Sequence, residues 1–290
     1  MIIVKLYGGL GNQMFQYAAA KSIAVRLNTA MLYDDEYFIS PEKFGSSWSY
    51  QLNLLNTQIE LHSPLISKKL SFIIHRVFRK LNSKNIKYKK YFFEKPDQFD
   101  ANIVDVINNT RLDGYFQSEK YFKQCRAEIL KDFSPKAELD SKNKLICEQI
   151  HSENSVSLHV RRGDYITNAI AALVHITNHQ DYYQKAITYI ENKISDPVFY
   201  IFSDDINWAK QNITTKSKMN FIDHNKNTDS YKDLFLMSHC KHNIIANSSF
   251  SWWGAWLNQN SSKIVIAPQR WYIDATKSTQ DIYPEDWLKL

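Results

Sequence analysis

Cysteine is scarce in this chain. Cys125, Cys147 and Cys240 are the only three among 290 residues, far apart and odd in number. They offer neither a disulfide framework nor a zinc-binding spacing, so a reducing compartment is the expected setting. Long apolar runs are missing as well: no stretch of 18 hydrophobic residues occurs, and no leader is expected ahead of the first strand. The expectation is a soluble, cytoplasmic protein. Repeats and low-complexity segments are absent. Disorder is excluded by what is present, 44% hydrophobic and 14% aromatic residues, and the length suffices for two lobes with sizeable cores.

Acidic residues nearly vanish between positions 64 and 95, where ten Lys/Arg face only Glu94. Within 65–81, Leu65, Leu70, Ile73, Ile74, Val77, Phe78 and Leu81 recur at helical spacing, with Lys68, Lys69, Arg76, Arg79 and Lys80 between them. This predicts a basic amphipathic helix. Two uses stay open for it, packing on the core and peripheral contact with an anionic membrane. Nucleic acid is not an expected partner, because no recognition fold accompanies the patch.

Three constellations carry candidate chemistry. The first is a strand over 2–7, the turn Gly8-Gly9-Leu10-Gly11-Asn12-Gln13, and a helix over 13–27. Strand, glycine turn and helix aim backbone N–H groups at an anion or a sugar oxygen. The turn is neither a Walker A loop nor G-x-G-x-x-G, and a plain tight turn is the alternative. The second is Ser155-Val156-Ser157-Leu158-His159-Val160-Arg161-Arg162-Gly163-Asp164, a buried strand ending in two arginines whose side chains leave on opposite faces. A guanidinium at the carboxyl end of a parallel strand suits a diphosphate; a structural Arg–Asp pair is equally open. The third is an apolar strand over 242–246 running into Asn247-Ser248-Ser249-Phe250-Ser251-Trp252-Trp253. The serines either cap the following helix or donate to phosphate oxygens.

Together these segments resemble the α-1,2-fucosyltransferases of glycosyltransferase family 11. The resemblance rests on residues 8–18, 159–165 and 247–253. Tyr200-Ile201-Phe202-Ser203-Asp204-Asp205 and the stretch 233–238 match in the expected order. The family's His-Gly-x-Cys pattern reads His175-Ile176-Thr177-Asn178 here.

The resemblance implies a GT-B fold of two facing Rossmann-like domains with a cleft between them. The expected division is an acceptor-side domain over 1–135 and a GDP-fucose-binding domain over 136–290, the linker falling at 132–136. It further implies an inverting transfer of L-fucose from GDP-β-L-fucose to the 2-hydroxyl of a terminal β-galactoside, free or lipid-linked. Assembly of bacterial O-antigen or another surface glycan is the expected setting, at the inner face of the plasma membrane if the acceptor is lipid-linked. Neither a cofactor nor a metal is expected.

Arg161 is expected to meet the charge developing on the β-phosphate, with Arg162, Ser248 and Ser249 supplying further donors and Asn247 and Phe250 completing that wall. His159 and Asp233 are expected near the guanosine, Asp233 accepting from the guanine edge. Gly11 and Asn12 are expected at the donor phosphate or sugar, Asn12 as a catalytic amide. Adjacent Asp204 and Asp205 invite a magnesium reading, rejected because arginine already supplies the positive charge. One of them is expected to orient Arg161 or cap the next helix, and Asp204 is placed in the donor site. Asp164 is either the general base for the acceptor hydroxyl or a partner fixing a guanidinium. Two other readings remain: a transferase using another nucleotide sugar, and a non-catalytic sugar-nucleotide or glycan binder.

Overall fold

Short apolar strands alternating with helices build two parallel sheets. The computed structural model describes residues 1–40, 48–61, 91–95, 98–163, 180–274 and 276–290. Asp164, the basic segment 65–81 and His175-Ile176-Thr177-Asn178 lie outside them. The chain divides into Met1–Ser134 and Pro135–Leu290.

The first unit opens with β1 (Ile2–Lys5), α1 (Leu10–Arg26), β2 (Met31–Asp34), the short α2 (Glu36–Ile39) and β3 (Glu60–Leu61). It continues through β4 (Tyr91–Phe93), β5 (Thr110–Asp113) and α3 (Arg126–Asp132). The sheet order is β3-β2-β1-β5-β4, with all neighbours parallel. Ile2 and Val4 are buried at alternate positions of β1, and α1 is buried on all faces, every residue from Gln13 to Ala20 being covered. The Tyr17 hydroxyl donates to Asp132 Oδ2 at 2.7 Å, and Lys21 Nζ pairs with the same oxygen at 2.7 Å. These two contacts tie α1 to α3.

The second unit runs through α4 (Ser141–Ser152), β6 (Asn154–Val160), α5 (Gln180–Lys193), β7 (Pro197–Ser203), α6 (Ile206–Asn212) and β8 (Lys218–Ile222). It ends with α7 (Tyr231–His239), β9 (His242–Ile244), α8 (Ser249–Leu257), β10 (Val265–Ala267) and β11 (Leu288–Lys289). The order is β11-β10-β9-β6-β7-β8, again parallel throughout. Both faces are covered. Val156, Leu158 and Val160 pack with Ala186, Ile187 and Ile190 of α5. Tyr200 and Phe202 pack on the other side with Ile150, Leu236 and Met237. A one-residue slip of β6 would drive Ser157 and His159 into the aliphatic layer, so its register is fixed by the pattern.

The strand orders locate the crevices. Counted from β6, the second sheet is 3-2-1-4-5-6, the doubly wound order that reverses between β6 and β9. The first sheet reverses between β1 and β5. Ligands of open parallel sheets bind outside the carboxyl ends of the strands at such reversals.

Several expected elements change. The helix expected over 13–27 begins at Leu10, taking Gly11 into its first turn. The sequence also predicts a helix over 118–131; it begins only at Arg126, two 3₁₀ turns occupying Glu119–Tyr121 and Lys123–Cys125. The Ser118 side chain accepts from the Lys120 N–H and caps the first of these turns. The sequence further predicts a terminal helix, which does not form. Pro268 and Pro284 interrupt the segment, and its end adds β11 to the sheet instead. Among the described residues no helix is long and apolar enough to cross a membrane.

Candidate active site

At the second unit's reversal, β6 delivers His159 and then Arg161, two positions apart. Arg161 Nη1 pairs with Asp204 Oδ2 at 3.1 Å, the two side chains keeping 20% and 23% of their surface. The same carboxylate accepts the N–H groups of Arg162 (2.9 Å) and Gly163 (3.0 Å). A Cβ on Gly163 would stand 2.9 Å from Asp204 Oδ2, so a side chain here would push the carboxylate off its place. Both oxygens of Asp204 are thus committed to the loop carrying the arginines. A partly exposed ion pair of this kind contributes about 0–1 kcal/mol, so Asp204 aims Arg161 without locking it away from an anion.

Asp205 caps α6, accepting from the Trp208 N–H at 3.1 Å, and stands 3.6 Å from Arg162 Nε. The Arg162 guanidinium lies 4.2 Å from the centre of the Trp208 ring. The arginines therefore separate as the alternation of strand faces requires, Arg161 onto Asp204 and Arg162 onto an indole.

His159 is buried, and its Nδ1 has no hydrogen-bond partner among the described residues. Burial, with the Arg161 charge nearby, lowers its pKa to about 3, so the ring is neutral at physiological pH. An unpaired buried polar atom costs about 1–3 kcal/mol. Its position beside a ligand crevice marks it as an atom a ligand can satisfy. The Phe250 ring lies 5.8 Å away.

Across the reversal, β9 leads to Asn247, Ser248 and Ser249 at the start of α8. Ser248 is the residue before the helix, but its side chain makes no capping bond, which leaves its hydroxyl for another acceptor. Asn247 is fully buried and donates to the Trp271 carbonyl at 3.0 Å. Trp252, Trp253 and Trp256 are all core.

Asp233 sits in the first turn of α7. Burial raises its pKa to about 7 against the opposing effect of Asn225, which donates to its Oδ1 at 2.7 Å. Asn225 and the fully buried Asn143 exchange two amide bonds of 2.9 Å. Asn143 in turn donates to Asp140, the cap of α4. This relay fixes the Asp233 carboxyl from another helix.

At the first unit's reversal, Gly8 adopts φ +77°, and a Cβ there would lie 2.7 Å from Asn12 Nδ2. Glycine therefore lets the Asn12 amide settle on the turn. Gln13 donates to the carbonyls of Gly8 and Ser49, each at 2.9 Å, and accepts from the Gln51 N–H. Asn12 Oδ1 accepts from Gln117 Nε2 at 2.9 Å, so its amide NH₂ is the half left to serve as donor. Beside it, Asp113 accepts from the Tyr7 hydroxyl at 3.4 Å and pairs with Lys5 at 3.7 Å. Tyr7 meets Tyr115 edge-on at 4.9 Å. Glu94 accepts the N–H groups of Tyr115 (2.7 Å) and Phe116 (2.8 Å), and burial raises its pKa to about 7.

Sequence reading missed Gln117, Asn143, Asn225 and Trp208. Only the Asp140-x-x-Asn143 cap and the Asp205-x-x-Trp208 cap leave a local signal. Gln117 lies 105 residues from its partner. The arrangement can hold an anion at Arg161 and the α8 start, a hydrogen-bonding base near His159 and Asp233, and sugar hydroxyls at the amides and tyrosines of the first unit.

The profile of glycosyl transferase family 11 matches residues 1–290. The O-antigen biosynthesis glycosyltransferase WbnK of Escherichia coli is 36% identical over 98% of this chain and 99% of its own. An alpha-1,2-colitosyltransferase of Escherichia coli is 33% identical over 100% and 99%. The mouse galactoside 2-alpha-L-fucosyltransferase Sec1 is 24% identical over 89% of this chain and 64% of its own. Among solved structures, a mutant of Arabidopsis thaliana FUT1 in complex with GDP superposes with a TM-score of 0.54 at 11% identity, over 99% of this chain and 75% of that one. Fucosyltransferase NodZ from Bradyrhizobium gives 0.51 at 10% identity, over 87% and 92%. These likenesses show the fold, the GT-B class of paired Rossmann-like units.

Proposed function

The chain belongs to glycosyl transferase family 11, and from that membership we propose an inverting α-1,2-fucosyltransferase. L-Fucose moves from GDP-β-L-fucose to the 2-hydroxyl of a terminal β-galactoside during surface-glycan assembly. The observation that carries this reading is Arg161, held by Asp204 just beyond β6 at the β6/β9 reversal, where the other strand leads to Ser248, whose side chain makes no capping bond. The acceptor oxygen attacks C1 of the fucose as the bond from C1 to the β-phosphate oxygen breaks. Arg161, with Ser248 and Ser249, stabilises the charge that gathers on departing GDP. The proton of the 2-hydroxyl goes to Asp164, the general base. His159 and Asp233 serve the guanosine. Asn12 donates through its NH₂ to the transferred sugar or its phosphate, and the first unit serves the acceptor. Neither metal nor cofactor takes part.

A second reading concerns the donor. A full-length relative is named for colitosyl transfer, and colitose is L-fucose without its 3-hydroxyl. A site built to bond that hydroxyl would reject the deoxy sugar by about 10⁴–10⁵, whereas an apolar contact there would not.

The deciding experiment offers GDP-fucose, GDP-colitose and other GDP-sugars with β-galactoside acceptors, measures GDP release, and establishes the product linkage by NMR. An α-1,2-fucoside is expected. Exclusive use of GDP-colitose would transfer the assignment to the second reading, and binding without GDP release on any acceptor would overturn both. For a lipid-linked acceptor, the basic segment 65–81 would hold the enzyme to anionic lipid, which vesicle co-sedimentation tests.

A further inference from the structure

The cysteine spacing along the chain offers no metal site, but the fold brings Cys147 to two histidines. Cys147 and His151 are four residues apart on α4 and share a face. The Cys147 Sγ lies 3.9 Å from His151 Nε2. His239, the last residue of α7, brings its ring to 5.3 Å from that of His151. One ligand atom from each of the three lies within 4.8 Å of the others.

We propose that Cys147, His151 and His239 form a zinc site that staples the end of α4 to the end of α7. One thiolate and two imidazoles are a borderline donor set that suits Zn²⁺, with water as the fourth ligand. Zinc–sulfur and zinc–nitrogen bonds of ~2.3 and ~2.0–2.1 Å require neighbouring ligand atoms to stand roughly 3.5 Å apart in a tetrahedron. The observed spacing reaches this by closing about 1 Å, within the swing of two exposed histidine side chains.

The tautomer of His239 is a second, independent sign. Its Nδ1 lies 2.7 Å from the Phe235 carbonyl oxygen and must donate to it, because a carbonyl can only accept. With Nδ1 as the donor, Nε2 is the nitrogen that can coordinate a metal. Metal-binding histidines are held by this same contact from the other ring nitrogen to a carbonyl. The consequence reaches the nucleotide side of the unit. The two helices joined here carry Asn143 and Asp233 nearer their starts, so a zinc staple would hold the relay that fixes the Asp233 carboxyl. None of the three ligands belongs to the proposed donor site, and the inference does not depend on which sugar is transferred.

The test uses the full chain after chelation and dialysis. Titration with Zn²⁺ in a calorimeter should give one site per chain and raise the thermal midpoint. Co²⁺ as a probe should produce thiolate-to-cobalt charge-transfer absorption. Cys147→Ser should abolish that absorption and weaken Zn²⁺ binding by at least ~10-fold. His239→Ala, at an exposed position, should weaken binding comparably and lose the zinc-dependent rise in midpoint. Absence of the absorption in the unaltered protein overturns the proposal. So does its survival in Cys147→Ser, which would point to Cys125 or Cys240, and so does unaltered zinc affinity in His239→Ala.

Discussion

Each sheet reverses its strand order once, 3-2-1-5-4 in the first unit and 3-2-1-4-5-6 in the second, and the two reversals carry opposite chemistry. In the second unit the strand end carries two arginines, a neutral imidazole and an aspartate spent on aiming one guanidinium. In the first unit the equivalent place is held by an amide pair, Asn12 and Gln117, with tyrosines and carboxylates around it. A parallel sheet supplies the crevice in both cases, and the side chains decide what enters. Cationic, planar donors favour a diphosphate. Uncharged donors beside tyrosine rings favour sugar hydroxyls, which need hydrogen bonds without a strong field. On the proposed function, leaving-group chemistry falls to the second unit and sugar orientation to the first, a contrast that can be broken at either end.

The largest effect should come from Asp164→Asn. Removing a general base typically costs on the order of 10²–10⁴ in rate. Here kcat should fall while the affinity for GDP-fucose is kept; a loss of donor binding with kcat retained would make Asp164 a support for the arginines.

Arg161→Lys comes next, with a loss of roughly 10²–10³ in kcat, because an ammonium cannot reproduce the guanidinium fork. Steady-state kinetics showing near-normal turnover would return Arg161 to a structural ion pair.

In the first unit, Gln117→Ala releases the Asn12 amide to rotate. One neutral hydrogen bond is worth about 0.5–1.5 kcal/mol, so kcat should drop about tenfold with GDP affinity unchanged. A loss as deep as that of Arg161→Lys would erase the contrast between the units.

A gentler probe is pH. Asp233, raised to about 7 by burial, accepts from guanine only when ionised, and its ionised fraction grows as pH rises through that value. GDP binding should therefore tighten by up to about tenfold between roughly pH 6 and pH 8. Calorimetry on Asp233→Asn should give weak binding without that component. An unchanged pH profile in the variant would remove Asp233 from the nucleotide site.

The smallest effect is expected from EDTA, which should leave turnover at saturating donor unchanged even where it lowers the thermal midpoint and loosens the relay behind Asp233 by stripping zinc from Cys147, His151 and His239. Loss of turnover restored by Mg²⁺ would reopen Asp204 and Asp205 as metal ligands.

What could be read from the sequence was what is local. His159, Arg161 and the serines before α8 stand at strand ends that apolar runs announce, and one of the two roles left open for the Asp204–Asp205 pair belongs to each residue. The Asn143–Asn225 exchange spans 82 positions, and no periodicity signals an amide waiting for another amide. The terminal helix failed for a different reason: helical composition after residue 268 was outweighed by prolines and by an open edge of β10 ready to accept β11. The strands Glu60–Leu61 and Tyr91–Phe93 were too short to register as patterns, although the sheet makes them its two edges.

The indoles give the second unit an optical signature of its own. Of seven tryptophans, only Trp48 belongs to the first unit, where it is 39% exposed. In the second unit, Trp252 lies 5.0 Å from Trp253, 6.2 Å from Trp256 and 5.4 Å from Trp287, all of them buried. Tryptophan emission, excited at the red edge where tyrosine does not absorb, will therefore report mainly on residues 135–290, while far-ultraviolet dichroism averages both sheets. In a denaturant titration, coincident curves would mean that the two units melt as one cooperative body. A separation between them would read out directly how far residues 1–134 can unravel while residues 135–290 stand.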